Sequence, residues 1–205
     1  MALRIQRIKM DDVSAVQNAV NVLHAAFEER LRNNLNYIAA TITLESFLLK
    51  YKDAIGLEAV VDDEIAGVVF LKIKKDSGQN NFAYLFHLAV LPKYARKGLG
   101  TALAENALQI ALQRKCAYME CDTAVTAYSA IRMHQKNGYV ICGLASFKST
   151  NYYSYIFRKP LVSNCRWNSR IYCKVCFCVS FAKCKFFRNK FGEYRGFAKI
   201  IKRFI

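Results

Sequence analysis

No uncharged apolar run in the 205 residues approaches the 18 positions of a spanning helix, so no transmembrane segment is expected. The opening stretch, MALRIQRIKMDD, becomes charged too early for a secretory signal. A P-loop is excluded, because GxxxxGK[ST] occurs nowhere. No internal repeat is visible. Acidic residues are scarce: 15 Asp and Glu face 31 Lys and Arg, for a formal net charge of +16. The shortage is local. Residues 1–160 carry 20 basic and 14 acidic side chains, whereas residues 161–205 carry 11 basic and one acidic, Glu193. Eight cysteines without an export signal are expected as reduced thiols in a cytoplasmic protein.

What is present is organised around residues 82–111, FAYLFHLAVLPKYARKGLGTALAENALQIA. An apolar, aromatic run suits a buried strand. Pro92 stops it, having no N–H to donate. After the basic turn Tyr94-Ala95-Arg96-Lys97 come Gly98 and Gly100, and then Leu99, Leu103, Ala107, Ile110 and Ala111 share one helical face. A basic, glycine-containing turn that opens a helix suits a phosphate ligand. First-turn N–H groups point outward there, and the dipole adds positive charge. A Rossmann fingerprint would need a third glycine where Leu103 stands.

Around this core the expected order is β-α-α-β-β-β-α-β-α-β-β. The first strand covers residues 3–8, and Asp11 is the expected cap of a helix whose stripe runs Val13, Val16, Val20, Leu23, Phe27, Leu31. A short helix follows at 44–51. Residues 57–61 and 65–73 form a hairpin across Asp62-Asp63-Glu64. Strand 116–125, helix 127–137 ending at Gly138, and strands 139–147 and 152–158 complete the body.

LAVLPKYARKGLGTAL resembles the signature of the GNAT superfamily of acyl-CoA-dependent N-acyltransferases, whose pyrophosphate loop reads [RQ]-x-x-G-x-[GA]. Here that loop is Ala95-Arg96-Lys97-Gly98-Leu99-Gly100; both glycines match and Ala95 departs. Residues 130–139, AIRMHQKNGY, resemble the family's A-x-x-[LF]-Y-x-K-x-G-F. The similarity covers residues 2–160, bacterial members included. It implies an α/β (mixed α+β) fold: a mostly antiparallel twisted sheet of about seven strands, splayed between strands 4 and 5, with helices on both faces. It implies acetyl-CoA as co-substrate, with no metal. Main-chain groups of Leu88, Ala89 and Val90 would hold the pantetheine arm, and residues Arg96, Lys97, Gly98, Leu99, Gly100 and Thr101 the pyrophosphate.

The implied reaction is acetyl transfer to a primary amine of a small molecule, peptide or protein, by direct attack in a ternary complex. Such an amine has a pKa of about 10.4, so only about one in a thousand is neutral at pH 7. A base, an acid for the leaving thiolate, and a backbone N–H at the carbonyl oxygen each lower that burden. His134 occupies the position of the family's tyrosine beside the CoA sulfur, which makes it the candidate acid. Many relatives carry a glutamate six residues before the strand valine, and here that position is Tyr84, a candidate to orient water or substrate. Glu29 is the candidate base, because residues 27–31 resemble a region that carries a catalytic glutamate in arylalkylamine acetyltransferases. Strand alternation puts His87 on the face opposite Tyr84 and Val90, away from the thioester. Ala127 replaces a family asparagine.

Residues 161–205 form a separate basic extension with five cysteines, many aromatics and Cys173-x-x-Cys176. It has no histidine and no second well-spaced pair for zinc. Interleaved Lys, Arg, Phe and Tyr could contact nucleic acid or an anionic membrane, and a poorly ordered extension is the plainer reading. The alternative to an enzyme is therefore a non-catalytic acyl-CoA-binding module with such a tail. Either would be a monomer or a homodimer.

Overall fold

A computed structural model describes residues 2–161, and the readings made for the chain beyond Leu161 lie outside them. The described residues form β1 (Leu3–Ile8), α1 (Val13–Arg32), α2 (Ile38–Thr41), α3 (Leu44–Tyr51), β2 (Ile55–Val61), β3 (Glu64–Lys75), β4 (Asn81–Val90), a 3-10 turn (Pro92–Tyr94), α4 (Leu99–Gln113), β5 (Tyr118–Ala124), α5 (Tyr128–Lys136), β6 (Val140–Ser146) and β7 (Tyr153–Pro160). The expected order holds, with the four-residue α2 added. That helix is too short to show a periodic stripe. The α1 cap is Asp12 rather than Asp11; its carboxylate accepts from Ser14 N at 2.9 Å and Ala15 N at 3.2 Å.

Seven strands make one sheet in the order β1-β2-β3-β4-β5-β7-β6. Only β4 and β5 run parallel, which requires the crossover that α4 supplies. The β2–β3 hairpin turns through Asp62 (φ 48°) and Asp63 (φ 65°), both left-handed, as a two-residue turn matched to strand twist requires. Against one face α4 packs Leu99, Leu103 and Ala107 onto Leu57, Leu85 and Met119. On the other face α1 and α3 pack Val16, Leu23 and Phe47 onto Val68, Phe70 and Phe86. Fully burying one such side chain contributes about 1.5–3 kcal/mol. The ends of the predicted α1 stripe run off the sheet, since Val13 is 56% exposed.

Two features of β4 position the site. The β4–β5 ladder begins at Phe82↔Tyr118 and ends at Leu85↔Cys121, while β4 continues to Val90 and β5 to Ala124. The sheet therefore splays between its fourth and fifth strands. Opposite β3, Phe86 pairs with Phe70 but Ala89 with Val68, so β4 carries one extra residue. His87, at φ 52°, is that extra residue, and the result is a β-bulge. Beyond it the alternation is reversed: Tyr84 and Phe86 pack with the α1 face, Leu88 and Val90 with the α4 face. This corrects the parity argument, which placed Tyr84 and Val90 on one side.

Candidate active site

The splay opens a cleft of about 390 Å³, lined by β4 residues Tyr84 to Val90, by Cys121 to Ala124 of β5, and by parts of α1, α2 and α5. Beyond Leu85 the β5-facing edge of β4 has no strand partner among the described residues, so main-chain groups around Leu88, Ala89 and Val90 face the gap. An extended ligand can add there as a strand would. The bulge also needs close backbone approach on its β3 side. A Cβ on Gly67 would lie 2.7 Å from the Ala89 carbonyl oxygen.

Past Val90 the chain turns through Arg96 (φ 62°) and Gly98 (φ 83°) into α4. Gly98 caps the helix in the left-handed region, so its glycine is required by conformation. No side chain caps this end, and the first-turn amides of Leu99, Gly100 and Thr101 have no intrahelical acceptor. The Leu99 side chain is buried in the core, which leaves only its main chain for a ligand. Arg96 and Lys97 are exposed beside it. A Cβ on Gly100 would lie 3.5 Å from Met133 Sδ and 3.8 Å from Val90 Cγ2, so this helix start stands between the end of β4 and α5.

On the lining of the cleft Tyr84 donates its phenolic hydrogen to Asp122 Oδ1. Burial, and next the negative charge of Asp122, push the Tyr84 hydroxyl well above its ordinary pKa, so it stays protonated. Asp122 is the residue that the sequence reading missed. Its signal was the acidic pair Glu120 and Asp122, two apart in a mostly apolar strand. Glu120 is held by Arg158 Nε at 2.6 Å and does not line the cleft. Asp122 is thereby the one carboxylate on its wall among the described residues. Glu29 is exposed on α1 and is not part of the lining, although its neighbours Ala26 and Phe27 are.

His134 does line the cleft, 4% exposed, with its Nδ1 3.6 Å from Cys121 Sγ and its ring against Tyr139 and Phe157. Burial lowers its pKa to about 4. The imidazole is neutral at physiological pH and offers one N–H, where the sequence reading had a group titrating near neutrality. His87 lines the cleft too, contrary to the expectation that it faces away, and burial likewise lowers its pKa to about 4. Its ring meets Tyr51 edge-on at 5.2 Å, and its Nε2 is buried without a hydrogen-bond partner among the described residues. The far wall is aromatic: Phe27 stacks on Tyr37 at 5.3 Å, and Tyr37 lies 4.8 Å from Tyr152. No group of three or more His, Cys, Asp or Glu among the described residues could hold a metal ion.

The model of the acetyltransferase (GNAT) family matches residues 21–139, more than half of the chain. This chain belongs to the GNAT acetyltransferase family. N-alpha-acetyltransferase 30 of Xenopus laevis is 30% identical over 82 residues, which is 40% of this chain and 30% of that protein. The chain thus spans less than a third of the relative's length. Among solved GNAT structures, an acetyltransferase from Streptococcus pneumoniae superposes with a TM-score of 0.58 at 21% identity, covering 78% of this chain and all of that one. The NatC complex bound to Gag peptide and CoA gives a TM-score of 0.63 at 14% identity, covering 79% of this chain and all of the matched one. Both share the fold, and the second is a complex that holds CoA.

Proposed function

We propose that this GNAT protein transfers an acetyl group from acetyl-CoA to a primary amine by direct attack. The observation that carries the reading is a cleft that holds an unpaired β4 edge and the Tyr84–Asp122 pair, with the uncapped start of α4 beside Val90 at the end of that edge. The edge and the helix start fit a pantetheine arm followed by a diphosphate: strand-like backbone groups for the first, outward amides beside Arg96 and Lys97 for the second. The family and the CoA described in the NatC structure support the same co-substrate.

Asp122 is the side chain suited to receive the proton of an acceptor ammonium, directly or through one water. Tyr84, protonated and bonded to it, fixes its orientation. As the amine attacks, the C–N bond forms and the thioester C–S bond breaks. Neutral His134 offers an N–H to the departing sulfur, and the proton that the thiolate finally takes comes from solvent or from the acceptor. The three described cysteines are free thiols, which supports a reducing compartment such as the cytoplasm.

The test is release of CoA thiol from acetyl-CoA over a panel of amines. Acceptor-dependent release is expected. Saturable acetyl-CoA binding with no release would overturn the transferase reading and favour a binding module.

A further inference from the structure

The proposed reaction leaves open which amine enters, and the walls of the cleft are selective. Two aromatic groups face it from different elements. Phe27, Tyr37 and Tyr152 join α1, the start of α2 and the β6–β7 loop into one stack. Tyr51 of α3 packs against Phe86 at 4.6 Å and against His87. No lysine or arginine lines the cleft among the described residues, and Asp122 is its one formally charged side chain. Cations stand behind the walls rather than on them: the charge of Lys74 reaches Asp122 and that of Lys50 reaches His87, and neither side chain lines the cleft. Lys74 lies 4.1 Å over the Tyr84 ring without lining the cleft, and Lys72 donates to the Lys50 carbonyl at 2.6 Å. Both lining histidines are held neutral by burial.

We propose that the acceptor site selects a primary amine bearing an apolar, aromatic-sized substituent and no anionic group, so that free amino acids are rejected where the corresponding amides or decarboxylated amines are accepted. This rests on the transferase reading. The ammonium of such an acceptor is drawn to Asp122 and to aromatic faces, while its apolar group replaces water between the two aromatic walls. A free α-carboxylate would lie within a few ångströms of the amine, hence close to Asp122. It would meet repulsion from Asp122, with no guanidinium or ammonium on the lining among the described residues to pair with. A second cation on the acceptor gains nothing either, because one carboxylate is already used by the reacting amine.

The test compares kcat/KM, by CoA thiol release, for phenylalaninamide, phenylalanine, phenethylamine and aspartate diamide, with a phenylalanine-initiated peptide amide as a further arm. Phenylalaninamide is expected to exceed phenylalanine by at least about 100-fold. Phenethylamine, which lacks the carboxylate, should group with the amide. The peptide arm separates a small-molecule acceptor from a chain terminus: preference for the peptide by 10-fold or more assigns the terminus. Thr150→Arg or Ile38→Arg, each placing a guanidinium on the lining, should raise phenylalanine turnover selectively. Comparable turnover of phenylalanine and its amide overturns the inference alone, as does aspartate diamide matching phenylalaninamide. Saturable acetyl-CoA binding with no thiol release from any amine overturns the transferase reading and this inference with it.

Discussion

The Asn151 side-chain amide donates to the Asn34 carbonyl at 2.6 Å and ties the loop after α1 to the loop before β7, 117 residues apart in sequence. Its oxygen also accepts from Asn36 N at 2.9 Å. One amide therefore spans two chain segments, and Tyr37 and Tyr152, each one residue beyond an anchor point, meet above the cleft. Asn151→Ala removes both bonds, each worth about 0.5–1.5 kcal/mol. The acceptor KM should rise about 3- to 10-fold while acetyl-CoA affinity by calorimetry stays unchanged. A change confined to acetyl-CoA binding would show that the clasp serves the wrong half of the cleft.

Asp122→Asn keeps the shape and an oxygen to accept from Tyr84 but removes the proton acceptor. With general-base contributions of about 10²- to 10⁴-fold, kcat should fall by about that factor with the Kd for acetyl-CoA held. Tyr84→Phe leaves the carboxylate in place and should cost less, about 10-fold. Single-turnover kinetics separate the two. Equal losses would mean that Tyr84 does more than orient Asp122.

His134 is neutral in the folded protein, so its role is that of an N–H donor rather than an imidazolium. A phenol can serve the same purpose. His134→Tyr should retain kcat within about 10-fold, whereas His134→Ala should lose about 100-fold. The profile of kcat/KM against pH should show no break near 6.5 that disappears in His134→Tyr. Such a break would mean that the imidazole titrates near neutrality after all.

The glycine loop and the seven strands were legible because each rests on a strong local demand, a permissive turn before a helical stripe and apolar runs of strand length, while the splay was expected only from the family resemblance. His87 was not. A bulge shifts alternation by one residue, and a histidine at φ 52° carries no compositional mark of it, as a glycine would. Asp122 was hidden for a different reason. Alternation places Glu120 and Asp122 on one face, but only the pairing of Glu120 with Arg158, and the end of the β4–β5 ladder at Cys121, decide which acid reaches open space. Glu29 stands on the exposed face of α1, while its neighbours Ala26 and Phe27, on the other face of the same turn, reach the cleft.

Both cleft histidines make stability depend on pH. Their folded pKa values, about 4, lie below the ordinary 6.5. The unfolded chain therefore binds protons first as pH falls. Stability is fully present above about 6.5, declines through the interval, and the loss is complete below about 4. A depression of this size corresponds to about 3 kcal/mol for each ring at the acid end. The Tm should drop steadily from pH 7 to pH 4.5 in differential scanning calorimetry. His134→Gln should flatten that slope by about half, and an unchanged slope would assign acid lability to other groups.

Gly67 offers the sharpest test of whether the bulge positions the backbone of β4. It pairs with Val90, and its missing Cβ leaves room for the Ala89 carbonyl. At 2.7 Å the added methyl of Gly67→Ala meets a main-chain atom, which no rotamer change can relieve. Strand β3 or the 88–90 segment must shift, at a cost of about 1–3 kcal/mol. The fold should survive, because the α1 and α4 cores lie on either side and bury their own contacts. What should suffer is the edge that faces the gap: acetyl-CoA affinity is expected to fall about 10-fold or more, with the circular dichroism spectrum preserved. Gly143→Ala, in β6 and off the cleft lining, is the control, since its methyl meets only ordinary contacts at 3.7 Å. If the two variants bind acetyl-CoA equally well, the geometry of the bulge does not govern the cofactor-facing edge of β4.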